Sequence, residues 1–260
     1  MPALQGKVAI VTGAGRGIGR GMAEALAREG ASVLVASRSQ GGIDEAVDSI
    51  RTAGGTAEGL SLDVGNESEV RAMVGAAVDR FGRLDILINN AQSFGAASGS
   101  EITQDYVAIE DVTNDQWDNT IRTGLTASLW AMQEALPHLR ERGGRIINMA
   151  SAAGIIGQPG MLPYNCAKEA LRSLTRTAAR EWGRYGITVN VVCPLVKTRA
   201  LAEWTRISPD QSDALLAEVP LGRFGTLEDA GDLAVFLASD ASKYMTGMTF
   251  MLDGGSTMLT

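Results

Sequence analysis

The sequence predicts an α/β chain built on a parallel sheet of about seven strands, with helices covering both faces. Short apolar, β-branched runs recur along its length, each the size of a strand buried on both faces, and most are followed by a stretch of helical periodicity. Such alternation places helices on both sides of a parallel sheet. No internal repeat, low-complexity tract or linker interrupts the 260 residues, so a single domain over 1–260 is expected, and 45% hydrophobic content is enough to bury a full core.

Lys7 to Thr12, KVAIVT, reads as the first strand and ends in glycines. Ile18, Met22 and Leu26 then recur every four residues, giving strand, tight turn and helix. Backbone N–H groups at such a helix start can receive a pyrophosphate, so Gly13, Arg16, Gly17, Ile18 and Gly19 are expected to bind a cofactor. The turn reads T-G-x-x-x-G-x-G rather than G-x-G-x-x-G, because Ile18 and Arg20 stand where a third glycine would be needed. The second strand, Ala31 to Ala36, ends in Ser37 and Arg38, where a dinucleotide fold reads the adenosine ribose. An NAD binder usually presents an acid there. Ser37 is not an acid, and Arg38 with Arg16 can neutralise a 2′-phosphate, which favours NADP(H) over NAD(H). Two ordinary surface arginines are the alternative.

Glu45 to Ala53 is expected as a helix and Gly59 to Val64 as the third strand, with Asp63 at its end to touch the adenine edge. A helix over Ser68 to Phe81 leads to the fourth strand, Leu84 to Asn89, followed by Asn90, Ala91 and Gln92. Residues 93–108 are small and polar, as in a surface loop or short lid. Trp117 to Arg140 is a long helix, Arg145 to Met149 the fifth strand, and a further helix runs from Tyr164 to about Arg184. Ile187 to Cys193 is the sixth strand, Val196 to Val219 a variable region, Leu227 to Ala238 a helix, and Met248 to Leu252 the last strand.

A net charge of -7 argues against nucleic acid, which needs a basic face. No apolar run reaches membrane length, and the N-terminus lacks a basic leader and a lipidation motif, so a soluble cytoplasmic protein without a membrane partner is expected. Cys166 and Cys193 lack C-x-x-C spacing and read as reduced packing thiols. His138, the single histidine, stands beside Pro137 at a helix end, where it is expected to be solvated. That count argues against a His-dependent triad and a His-rich metal site, and no metal is expected.

The chemistry is read from Ser151, Tyr164 and Lys168. Tyr164 and Lys168 are four apart, so on a helix they share a face one turn apart, and a cation sits beside a phenol. A free tyrosine titrates near pH 10, and lowering it by about three units needs about 4 kcal/mol of differential stabilisation. One desolvated lysine and a cationic cofactor can supply that. A chance pair on a helix surface is the alternative.

Over nearly its full length the chain resembles the short-chain dehydrogenase/reductase family. The resemblance rests on Thr12-Gly13-x-x-x-Gly17-x-Gly19, Asp63-Val64, Asn89-Asn90-Ala91, Ser151 with Tyr164 thirteen residues on, Lys168, Pro220-Leu-Gly-Arg223 and Asp253-Gly-Gly255. It implies a Rossmann-like, doubly wound sheet, a nicotinamide cofactor, and hydride transfer to or from a carbonyl carbon. Ser151 would hydrogen-bond the substrate oxygen, Tyr164 would act as general acid or base, and Lys168 would lower the Tyr164 pKa and hold the nicotinamide ribose. The cofactor set implied adds Asp63, Val64, Asn90, Ala91, Tyr164, Lys168, Pro194, Val196 and Thr198 to the glycine turn, Ser37 and Arg38. Three positions depart from the family pattern. Gly124 stands where an Asn that presents its backbone carbonyl at a helix distortion is usual, Gln92 replaces a glycine, and the loop Pro194-Leu-Val-Lys-Thr198 is short by a glycine. The competing reading is a cofactor-binding sensor or scaffold with impaired catalysis. Enoyl reductases of related fold space their Tyr and Lys further apart, and halohydrin dehalogenases lose the glycine turn and use Arg for Lys. The expected partner is a small carbonyl or alcohol substrate, held by apolar residues drawn from Ile155, Ile156, Met161, Leu201, Trp204, Ile207, Leu215 and Leu216, which could equally be core. The family is commonly a homotetramer built through its two long helices, so a homo-oligomer is expected.

Overall fold

The apolar runs assemble into one parallel sheet of seven strands in the order β3-β2-β1-β4-β5-β6-β7. The computed structural model describes residues 2–93 and 106–259, apart from the side chains of Ala200, Trp204 and Gln211. The strands are β1 (Val8–Thr12), β2 (Ser32–Ser37), β3 (Thr56–Ser61), β4 (Ile86–Asn89), β5 (Gly144–Met149), β6 (Ile187–Pro194) and β7 (Thr249–Leu252). Between them run α1 (Gly17–Arg28), α2 (Gln40–Thr52), α3 (Glu67–Phe81), α4 (Asn114–Ile121), α5 (Ala127–Leu139), α6 (Ala152–Ile156), α7 (Leu162–Trp182), α8 (Arg199–Ile207), α9 (Pro209–Ala217) and α10 (Leu227–Ala238).

Side chains alternate across a strand, and β1 shows what that does here. Ala9 and Val11 join the core under α1, α2 and α10, with Met22, Leu26, Ile43 and Leu237. Ile10 joins the core on the opposite face, under α3 and α5, with Met73, Val74, Met132 and Leu139. Both faces of the strand are dry, which is why KVAIVT shows no polar alternation. Glycines let α1 and α10 close on each other: a Cβ on Gly231 would lie 2.7 Å from Ala25 Cβ.

The chain winds outward from β1 to β3, then returns to β4 on the other side of β1. This reversal opens a crevice beyond the carboxyl ends of β1 and β4, the place where open α/β sheets take ligands.

Four expectations need correction. The third strand is Thr56–Ser61, not 59–64, because Ser32 to Ser37 of β2 pair with Thr56 to Ser61; Asp63 and Val64 therefore follow the strand. Asp63 sits in a turn, its Oδ1 accepting from Gly65 N–H at 2.9 Å. The second helix begins at Gln40 rather than Glu45, its first turn carrying Gly41 and Gly42, which hid it from periodicity. The long helix begins at Asn114 and is broken by one π turn, Arg122–Thr126, between α4 and α5. Of the suspected lid, residues 94–105 lie outside the described residues; Val107 N–H donates to Gly160 O at 2.9 Å. His138 is half-buried in the last turn of α5, less solvated than expected.

A polar clip joins the layers. Asn148, fully buried in β5, accepts from Asn89 Nδ2 at 2.9 Å and donates to Thr175 Oγ1 at 2.9 Å, which fixes β4, β5 and α7 together. Buried amides left unpaired cost about 1–3 kcal/mol each. Asn148→Leu strands Asn89 and leaves Thr175 only its bond to Leu171 O, so urea unfolding is expected to show a loss of about 3 kcal/mol. A loss below about 1 kcal/mol would show that the clip does not hold α7.

Candidate active site

The glycine turn between β1 and α1 is shaped by what lies behind it. Gly13 takes φ +67°, and a Cβ there would lie 2.8 Å from Asn90 Nδ2; at Gly19 the same amide would lie 2.5 Å away. Asn90 occupies that space because its Nδ2 donates to Thr12 O at 2.9 Å, while Thr12 Oγ1 accepts from the N–H groups of Asn90 and Ala91, both at 3.0 Å. The end of β4 is thus latched to the end of β1. On the open side Gly17, at φ +56°, has only Thr198 Cγ2 near the Cβ position, at 3.8 Å. α1 begins with no side-chain cap and no acid in its first turn. Its first N–H groups therefore suit an anion, and the donor set fits a pyrophosphate.

The other expected cofactor residues distribute around this turn. Ser37 Oγ lies 3.1 Å from the Cβ position of Gly15, and Arg16 and Arg38 are exposed nearby in sequence. Asp63 is exposed at the carboxyl side of β3, and Val64 is packed in the core. The Val196 side chain is buried in the core, and its main chain is bridged to Gly225. The short loop is held at both ends, Leu195 N–H donating to Leu252 O and Lys197 N–H to Gly225 O, each at 2.8 Å.

β5 and α7 bring the three chemical residues together. Ser151 caps α6, its Oγ accepting from Ala153 N–H at 3.2 Å, and the same side chain hydrogen-bonds the Tyr164 phenol. Pro163 in the first turn of α7 suits a helix start. The Lys168 ammonium lies 5.4 Å from the Tyr164 ring centroid and donates to Met149 O at 2.6 Å. Burial pushes the phenol up to about 12, against the Ser151 bond, with the neighbouring Cys193 adding a smaller rise. Burial likewise brings Lys168 down to about 8. The expectation of a lysine-depressed phenol is therefore not met by the protein on its own: desolvation dominates, and the ammonium is turned to a backbone carbonyl. Cys193 is a buried free thiol, held up at about 11 by the same desolvation.

Sequence reasoning missed two supports. Met149 O is a main-chain group and leaves no sequence trace. Asn148 does leave one, a polar residue inside the apolar run Ile146-Ile147-Asn148-Met149. Of the apolar pocket residues, Met161 is buried, Ile155 packs against Val191 and Cys193, and Ile156 and Ile207 are exposed at 60% and 65%. The side chain of Trp204 lies outside the described residues. Among the described residues no helix is long and apolar enough to cross a membrane.

The lysine titration has a measurable sign. Folded Lys168 releases its proton near pH 8 while the unfolded chain holds it to 10.5, so in that window the unfolded state binds more protons and stability rises with pH. Relative to Lys168→Met, the wild type is expected to gain about 1.4 kcal/mol per pH unit from about 8 toward 10. A difference that stays flat across that window would mean the ammonium is not desolvated.

Known proteins match nearly the whole chain. Residues 13–257 match the family model described as enoyl-(acyl carrier protein) reductase, of the short-chain alcohol dehydrogenase type. The chain is 41% identical over 263 residues to a 12α-hydroxysteroid dehydrogenase of Clostridium sp., covering 98% of each. A solved chain from Sinorhizobium meliloti 1021, assigned as a short-chain alcohol dehydrogenase, superposes with a TM-score of 0.89 at 35% identity over 97% of each chain. Another from Beutenbergia cavernae, assigned as an NAD(P)-dependent gluconate 5-dehydrogenase and holding NADP at low occupancy, gives 0.88 at 33% identity over 98% of this chain and 99% of its own. The chain belongs to the short-chain dehydrogenase/reductase family and is an NAD(P)-dependent oxidoreductase of alcohol and carbonyl groups.

Proposed function

We propose that this protein interconverts a secondary alcohol and a ketone with NADP(H), with Tyr164 as the general acid or base. The observation that carries the reading is the half-buried Tyr164, its phenol hydrogen-bonded by Ser151 and the buried Lys168 ammonium 5.4 Å from its ring, near the carboxyl end of β5. The dinucleotide, when bound, supplies or accepts the hydride. The glycine turn and the start of α1 hold its pyrophosphate, and Lys168 its ribose. Ser151 donates to the substrate oxygen, and Tyr164 gives that oxygen a proton in reduction or takes one in oxidation. With the phenol held high by burial, Tyr164 rests protonated, the form that reduction needs. Arg16 and Arg38, beside Ser37, favour the 2′-phosphate.

Gly124 stands at the position of the family's asparagine. It lies in the π turn, and its carbonyl, which that role requires, is retained. The substrate is apolar and cyclic on this reading, because Leu201, Leu215 and Leu216 are half-buried on α8 and α9, and the Clostridium relative acts on a steroid. Residues 1–260 form one catalytic domain in a cytoplasmic homo-oligomer.

A panel of hydroxysteroids, cyclic ketones and acyl ketones with NADPH and NADH tests this. Tyr164→Phe is expected to lower kcat at least about 100-fold while NADPH still binds. Tight NADPH binding without Tyr164-dependent turnover on any substrate would favour the sensor or scaffold. Arg38→Asp is expected to weaken NADPH relative to NADH by about tenfold. An unchanged ratio would show that Arg38 does not read the phosphate.

A further inference from the structure

Just beyond the end of β4 stands a polar side chain to which the chemistry above gives no role. Gln92 is the third residue beyond β4, and its Oε1 and Nε2 are both shut off from solvent without a hydrogen-bond partner. Among the described residues no other side chain has two such atoms; Arg83 Nε, Arg145 Nε, Asn165 Oδ1 and Thr188 Oγ1 occur singly. A buried amide with neither donor nor acceptor satisfied is rare in a folded protein, and a ligand is one of the few things that can complete it.

Its surroundings are specific. The amide lies flat against Gly124: a Cβ built there would be 2.7 Å from Gln92 Cδ and 2.8 Å from Nε2 and Oε1. Gly124 is buried inside the π turn, and that turn packs against α7, the helix of Tyr164 and Lys168. The backbone around Gln92 is pinned on both sides. Ala91 N–H donates to Thr12 Oγ1 at 3.0 Å, and Ser93 N–H to Thr123 Oγ1 at 3.2 Å.

The strand order gives the direction. From β2 through β1 and β4 to β5, the carboxyl ends lead to Arg38, the glycine turn, Gln92, and then Ser151 beneath α7. A dinucleotide with its adenosine at β2 and its reactive ring at Tyr164 crosses the end of β4 with its nicotinamide half. We propose that the Gln92 carboxamide hydrogen-bonds the nicotinamide ribonucleotide half of the bound dinucleotide, and that residue 124 is glycine because the amide fills the space of its side chain. This rests on the dinucleotide reading above.

Gly124→Ala separates this role from a structural one. Alanine suits a helical backbone at this position, and the atoms it displaces are the free end of a flexible side chain, so the fold accommodates it while the amide moves. Binding is measured for NADPH and for adenosine 2′,5′-bisphosphate, which carries the adenosine half alone. Gly124→Ala and Gln92→Leu are each expected to raise the NADPH Kd by about tenfold, with the bisphosphate Kd and the Tm unchanged. In a Gln92→Gly background, Gly124→Ala is expected to have no further effect. Unaltered NADPH binding in both single variants, equal weakening of both ligands, or additive effects in the double variant would overturn the proposal alone. A wild type that binds neither NADPH nor NADH would overturn the dinucleotide reading and this proposal with it.

Discussion

Lys168 donates to the carbonyl of Met149 across 2.6 Å, and the ammonium making that bond is buried. A charge so placed is unfavourable, as its descent to about 8 records. The structure around it keeps it there. β5 delivers the Met149 carbonyl at its carboxyl end, α7 brings the lysine over it, and the Asn89–Asn148–Thr175 clip fixes strand and helix to each other. The glycine turn sits two strands away, latched to β4 by Thr12 and Asn90. Stability would be better served by an apolar residue at 168; on the proposed function, the lysine is held for the ribose of the dinucleotide.

The same desolvation acts oppositely on the phenol and the ammonium, since burial disfavours whichever form is charged. Tyr164 is raised and Lys168 lowered, which draws both toward neutrality. A site with this bias responds strongly to any further charge brought into it, because the low dielectric that shifts the groups also strengthens their mutual interaction. On the proposed function, an oxidised nicotinamide is such a charge.

Much of this was legible in the sequence because it depends on local pattern. Two-sided burial of β1 shows as an unbroken apolar run, and the glycine turn shows in its spacing, although glycine is needed at 19 because the Asn90 amide and the Gly13 carbonyl stand where a side chain would go. What failed depends on long-range partners. The third strand slipped by three residues because β2 sets its register, and Thr56 to Ser61 carries too few apolar residues to announce itself. Gln92 and Gly124 each stood out as departures, yet that one fills the space of the other is visible only once β4 and the π turn are folded together. The Met149 carbonyl was unreadable in principle, since every residue carries one.

The central claim is that burial holds Tyr164 protonated until cationic charge joins Lys168 beside it. The most direct measurement is the ultraviolet titration of the phenol, taken as wild type minus Tyr164→Phe, with and without saturating NADP+. The account predicts ionisation near 12 in the protein alone and several units lower with NADP+ bound. An identical titration in both conditions, or a phenol already ionising near neutrality without ligand, would contradict it.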